Sequence, residues 1–244
     1  SRAMLDAGLR DLVPHPDVVL GQHVTPLPAG TIGVRPGTQM AASDGLTVVL
    51  HGRGGHGSRP HSTIDPVVMA AATVMRLQTI ASREVDPRDV AVVTVGSIHA
   101  GLKNNIIPAE AKLELSLRYP DDEARARVMS KVERIIRAEA EASGAEKTPT
   151  ITTDHTLPPT INDPDATSRL TTAFRRAFGE ASVVDPGMFT GSEDVSWFAR
   201  QSGAPLVFWF WGGVDPQTFA DAVAAGTVER DIPTNHSAVS YTHL

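Results

Sequence analysis

The eight residues AKLELSLR, 111–118, alternate without exception between apolar and polar side chains. Ala111, Leu113, Leu115 and Leu117 fall on one face; Lys112, Glu114, Ser116 and Arg118 fall on the other. That period of two marks a strand buried on a single side. A sheet built on it takes helices on one face and leaves the other open. Further strands are predicted over 45–52, 90–98 and 149–154, and helices over 66–82 and 121–143. Asp65 caps the first helix with Pro66 at its first position, and the second carries Val128, Val132, Ile135 and Ile136 on one stripe. The order β-α-β-β-α-β predicts an α+β ferredoxin-like layer, two helices on a four-stranded antiparallel sheet, with Arg118 on its open face.

The flanking sequence has a different texture. DVVLGQHVTP (17–26) reads as a short buried strand with His23 at its exit, and another short strand falls near 38–42. TTDHTLPPTINDPD (152–165) has the composition of a linker. Beyond it a capped helix is expected to turn Leu170, Phe174, Ala177 and Phe178 inward and to stop at Gly179. PLVFWFWGG is a continuous apolar run, suited to a strand buried on both faces of a parallel or mixed sheet. The α+β unit, about 43–155, is therefore expected between two pieces of an α/β domain, 1–42 and 156–244. SRAMLDAGLRDLV begins in mid-helix without a cap, so the chain is expected to be a fragment.

Composition narrows the function. Net charge is −6 and the 22 basic residues are scattered, which argues against nucleic acid or an anionic membrane as partner. The strands VAVVTVG and AKLELSLR also lack the aromatics that stack on bases. No apolar run approaches the roughly 20 residues that span a bilayer, so a soluble protein of cytoplasmic type is expected. The absence of cysteine excludes disulfides, a thiol nucleophile and Cys-based zinc.

GGHGSRPH (54–61) places two imidazoles in the permissive turn between a strand and a helix. They suit metal ligation, acid–base chemistry, a substrate clamp or plain solvation. His51, His99 and His155 suggest no role beyond surface or core.

GQHVTPLPAG (21–30), GRGGHGSRPHSTIDPV (52–67), NNIIPAEAKLELSLR (104–118), GSEDVSWF (191–198) and NHSA (235–238) together resemble the metal-dependent amidohydrolase and exopeptidase family of aminoacylases, hippurate hydrolases and auxin-conjugate hydrolases. The resemblance implies an α/β catalytic domain, here partial, with the ferredoxin-like unit inserted as a lid and dimerisation domain. It implies two divalent ions per site, Zn, Mn, Co or Ni, with His23 and His236 as ligands. The family's remaining ligands and its general base, a glutamate, lie upstream of the part that matches. His56 would reach into the partner's site and donate to the oxyanion, the glycines at 54, 55 and 57 letting the backbone turn sharply. Arg118 and Asn105 would hold the substrate's carboxylate, and His61 would line the pocket. The GSED segment, headed by Gly191, would open a helix whose N–H groups meet an anion, with Glu193 and Asp194 as pocket structure.

The activity this implies is hydrolysis of amide bonds in N-acyl amino acids or small peptides by a homodimer. The competing reading is a non-catalytic dimerisation module, because the upstream ligands are missing. VSYTHL (239–244) departs from the family and is expected to be an unrelated terminus.

Overall fold

The computed structural model describes residues 1–235. Its first segment holds α1 (Arg2–Asp6), α2 (Leu9–Leu12), β1 (Val19–Pro28), β2 (Ile32–Gly33) and β3 (Gly37–Met40). Next come β4 (Ala42–His51), β5 (Gly55–His56), α3 (Pro66–Thr79), β6 (Val92–Ala100), β7 (Ile106–Ile107), β8 (Glu110–Tyr119), α4 (Asp122–Ala142) and β9 (Thr150–Leu157). The last segment holds β10 (Thr160–Asn162), α5 (Pro164–Phe178), β11 (Val183–Val184), α6 (Ser196–Ser202), β12 (Leu206–Val214), α7 (Pro216–Ala225) and α8 (Val228–Asp231). Two compact units result, Ser1–Met40 with Thr160–Leu244, and the inserted Ala41–Pro159. Among the described residues no helix is long and apolar enough to cross a membrane.

In the inserted unit the strands lie in the order β6-β8-β4-β9, all antiparallel. The alternation in β8 is realised as read, with Ala111, Leu113, Leu115 and Leu117 buried. They join Leu46, Val48 and Leu50 of β4 in one core with Met69 and Leu77 of α3 and Val128, Val132, Ile135 and Ile136 of α4. Burying an aliphatic side chain of this size contributes about 1.5–3 kcal/mol. Both helices start on an aspartate: the Asp65 carboxylate accepts from the Val67 N–H, and that of Asp121 from the Ala124 N–H. α3 stops at Thr79, short of the predicted 82, where the chain passes into a π-helical turn over Ile80–Glu84.

Composition misled the reading of 152–165 as a linker. Residues up to Leu157 continue β9 and 160–162 form β10, which pairs with β3. A run of β-branched threonines suits a pleated edge, and Asp154 is accommodated as a bulge, with Leu46 opposite Thr153 and Gly45 opposite His155.

The discontinuous unit carries a mixed sheet, β1-β12-β2-β11. β12 is parallel to β1 and antiparallel to β2, and its run from Leu206 to Phe210 is buried, as a strand covered on both faces requires. Asn162 pegs it: its side-chain amide donates to the Phe208 and Arg35 carbonyls, and its Oδ1 accepts from the Phe208 N–H. On α5, Leu170 and Phe174 pack inward against Trp209 and its neighbours. Ala177 and Phe178 were expected there and are exposed instead. The last turn of α5 lies at the margin of this core, and Phe178 meets Trp211 edge-on at 5.7 Å with its outer face in solvent.

Candidate functional site

The histidine turn is a closed loop. Arg53 and Ile64 exchange both backbone hydrogen bonds and pinch it shut. Within it β5 pairs with β7, His56 opposite Ile106 and Gly55 opposite Ile107. The Gly57 N–H donates to the Asn105 carbonyl at 2.8 Å, so His56 and Asn105 ride on one small ribbon. His61 occupies a 3-10 turn in the same loop, exposed to solvent.

The glycines act differently from the sequence expectation. None of the three at 54, 55 and 57 takes a positive φ. They are small because other groups pass close by. A Cβ at Gly54 would stand 2.8 Å from the Ile107 carbonyl oxygen, and one at Gly55 2.7 Å from Thr63 Cγ2. Close approach, not turning, excludes a side chain there.

Sequence reading missed the partner that orients His56. The Ser58 backbone N–H donates to His56 Nδ1 at 3.2 Å, and the Ser58 hydroxyl lies 2.7 Å from the same nitrogen. Because Nδ1 accepts, the neutral ring carries its proton on Nε2. The exposed imidazole therefore presents an N–H donor outward. A serine two residues after a histidine in a turn was the available signal.

Arg118 stands on the open face of β8, opposite Ser43 of β4 and Val92 of β6. It lies at the far end of β8 from the ribbon. Glu110, the near end, is eight residues away, a span of about 27 Å at strand rise. Asn105, whose carbonyl accepts from Gly57, is thus placed beside His56 on the ribbon and away from the Arg118 end of β8.

His23 and Gly191 belong to the discontinuous unit. β1 spans Val19–Pro28, two residues beyond the predicted end at 26, and His23 sits in mid-strand opposite Phe210 and not at the exit. Its Nδ1 is hydrogen-bonded to the Val24 carbonyl, which makes Nδ1 the donor and Nε2 the nitrogen of the neutral ring that carries the lone pair. Two residues on, along the same face, the buried Thr25 hydroxyl has no hydrogen-bond partner among the described residues. Gly191 lies in an exposed bend where a Cβ would come within 3.3 Å of Met40 Cε. The expected helix opens after GSED, at Ser196, and is seven residues long. His236 lies outside the described residues. Among the described residues no group of three or more His, Cys, Asp or Glu is placed to hold a metal ion. His23 alone fits as one ligand, and a complete metal centre is not formed by these residues.

Residues 42–143, within the inserted unit, match the family described as the M20 peptidase dimerisation domain. The chain is 32% identical over 213 residues to thermostable carboxypeptidase 2 of Saccharolobus solfataricus, covering 87% of this chain and 52% of that protein. It is 41% identical over 143 residues to an N-acyl-L-amino acid amidohydrolase of Geobacillus stearothermophilus, covering 58% of this chain and 38% of that one. A Bacillus subtilis structure described as a dinuclear metal binding peptidase of the M20 family superposes with a TM-score of 0.68 at 26% identity, over 93% of this chain and 59% of that one. The chain thus spans about half the length of the curated relatives it matches.

Proposed function

We propose that this chain is part of a metal-dependent hydrolase that cuts amide bonds in N-acyl amino acids or small peptides as a homodimer. The inserted unit serves as a ferredoxin-like lid and dimerisation domain, and the flanking pieces, 1–42 and 156–244, belong to the α/β catalytic domain. A C-terminal peptide bond and an N-acyl amino acid share one chemical feature, an amide whose amine side ends in a free carboxylate. The guanidinium fork of Arg118 offers that carboxylate two parallel hydrogen bonds.

One observation carries the reading. His56 and Asn105 share a ribbon about 27 Å from Arg118 along a single strand, too far for one small substrate to touch both groups in one chain. A two-fold pair brings Arg118 of one copy to the partner's His56 and Asn105. The Nε2–H of that imidazole suits the oxyanion of a tetrahedral intermediate, where one donor is worth about 2.7–4 kcal/mol. His61 lines the same pocket, and Gly191 meets the substrate from the catalytic piece. The activity uses two divalent ions, Zn, Mn, Co or Ni, with His23 and His236 as this chain's share; the similarity to a dinuclear metal binding peptidase supports the number of ions. No step is assigned to them.

Complementation tests this. In the complete protein of which this chain is part, His56→Ala and Arg118→Ala homodimers should each lose hydrolysis of N-acetyl-L-methionine by about a hundredfold. Mixing the two chains should restore about a quarter of the wild-type sites, since half the dimers are mixed and each holds one intact site. No recovery on mixing would refute the shared site.

The lack of a three-ligand cluster among the described residues favours a second reading, a dimerisation module without catalysis. Metal analysis of the purified 244-residue chain separates the two. Stoichiometric, tightly held metal excludes the second.

A further inference from the structure

Beside Arg118 the open sheet face carries hydrogen-bond donors that the amide-hydrolase reading does not use. The bulge at Asp154 creates the arrangement. Thr152 lies opposite Thr47 on the open face, and strict alternation would then turn His155 toward the helices. The extra residue reverses this: His155 faces outward opposite Gly45, and Thr156 turns inward, where its hydroxyl donates to Asp44 Oδ1 at 2.5 Å.

The His155 ring then lies flat on Gly45. A Cβ at Gly45 would stand 2.2 Å from the ring's Cε1 and 2.5 Å from Nδ1, so only glycine leaves that room. The same register puts Ser116 on the other side of Gly45, and Arg118 opposite Ser43 one step along the face. Diagonal neighbours of this kind lie about 7–8 Å apart, within reach of an arginine. Ser43 is 2% exposed, and among the described residues its hydroxyl has no hydrogen-bond partner. Of the acidic groups on the face, Glu114 pairs with Lys112 at 2.6 Å, Asp154 accepts from the Thr47 hydroxyl at 2.8 Å, and Glu110 stands at the opposite end of β8 from Arg118.

We infer that His155, Ser43 and Ser116 form, next to Arg118, a subsite for a second acidic group on the substrate: the side-chain carboxylate of an N-acyl glutamate or aspartate. The inference rests on the proposed function in one respect, that Arg118 takes the α-carboxylate. An apolar side chain laid on this patch would cut an imidazole N–H and the Ser116 hydroxyl off from water, leave the already buried Ser43 hydroxyl unpaired, and return no hydrogen bond. A carboxylate accepts from all three.

Titration of the full chain by NMR, with ¹⁵N-labelled histidine and arginine, tests it using N-acetyl-L-glutamate, N-acetyl-L-glutamine and N-acetyl-L-norleucine. N-acetylglutamate should bind about tenfold more tightly than the other two, as a charge-assisted hydrogen bond provides. His155→Ala, and Gly45→Ala by displacing the ring, should bring it down to the level of the glutamine derivative and leave norleucine binding unchanged. His155→Gln, which keeps a donor, should restore part of the preference. Equal binding of the three probes by the parent chain, or a preference that survives both substitutions, overturns the subsite and leaves the amide-hydrolase reading standing. Binding indifferent to Arg118→Lys, or no binding at all, overturns the carboxylate clamp and the subsite with it.

Discussion

Asp44 is fully buried on β4, yet it is ionised and surrounded by donors. Arg125 reaches it with two hydrogen bonds, at 2.6 and 3.0 Å, Tyr119 with one at 2.9 Å and Thr156 with one at 2.5 Å. Burial by itself pushes the carboxyl up, but the bonds from Arg125, Thr156 and Tyr119 outweigh it and hold Asp44 below the ordinary carboxylate range. Burial, followed by the charge of Asp44, pushes the Tyr119 phenol up, so it stays a donor at any ordinary pH. The four groups tie β4, β8, β9 and α4 together at one point. Since the folded carboxyl is the stronger acid, its stabilisation is present above the unfolded value of about 4 and fades as pH falls through the folded value. Asp44→Ala leaves the half-buried Arg125 without its charge partner, and the expected loss is about 3–5 kcal/mol at pH 7. Urea unfolding between pH 3 and 7 should show the difference between parent and variant shrinking toward the acid end. A difference constant across that range would mean that the charge is not what stabilises.

The ribbon of β5 and β7 is two residues long on each side, and its geometry depends on what fits beneath it. Gly54→Ala would drive a methyl into the Ile107 carbonyl, 2.8 Å away, and Gly52→Ala one into the Ile64 carbonyl, 2.3 Å away. Both oxygens belong to backbone and cannot rotate aside. Gly54→Ala should therefore free the Gly57 N–H from the Asn105 carbonyl, seen as hydrogen exchange at Gly57 at least tenfold faster, with the core of α3 and β8 unaffected. Unchanged protection at Gly57 would show that the pairing is held elsewhere. This element also shows how far sequence reaches. Leu113, Leu115 and Leu117, the stripe of α4 and the Asp65 and Asp121 caps obey local periodicity and local chemistry, so they were legible. The β9 bulge was not, because an inserted residue reverses alternation without changing composition. That one residue decides that Thr156 meets Asp44 and that His155 meets the open face. Gly45, a lone glycine within an alternating strand, was the visible hint that another group lies close. The separation of Asn105 from Arg118 was hidden for another reason: thirteen residues of sequence say nothing of direction until β8 is known to run straight away from the ribbon.

A dimer that shares its sites needs a face next to the ribbon, and the inserted unit has one. β6 ends the sheet, so its outer backbone edge has no strand partner within the sheet. Alongside it α3 leaves Val67, Val68 and Met75 largely exposed, and the edge adds Ile98, Leu102 and Ile106. Val67, Leu102 and Ile106 line one open cleft of about 460 Å³ together with Asp65, Lys103, Asn104 and Pro108. Ile106 is also the strand partner of His56. Covering this face with a second copy by a two-fold axis would bury the apolar groups and fix where each ribbon points in the same step. Assembly and catalysis then cannot be separated. Val68→Glu combined with Leu102→Glu places four carboxylates in the two-fold contact, where like charges meet. Sedimentation should give a monomer, with a thermal midpoint close to the parent's because both residues are solvent-exposed. Hydrolysis of N-acetyl-L-methionine should fall to the level of His56→Ala, although His56 and Arg118 are both intact. A monomer that keeps full activity would show that each chain completes its own site, and the 27 Å along β8 forbids that for a small substrate.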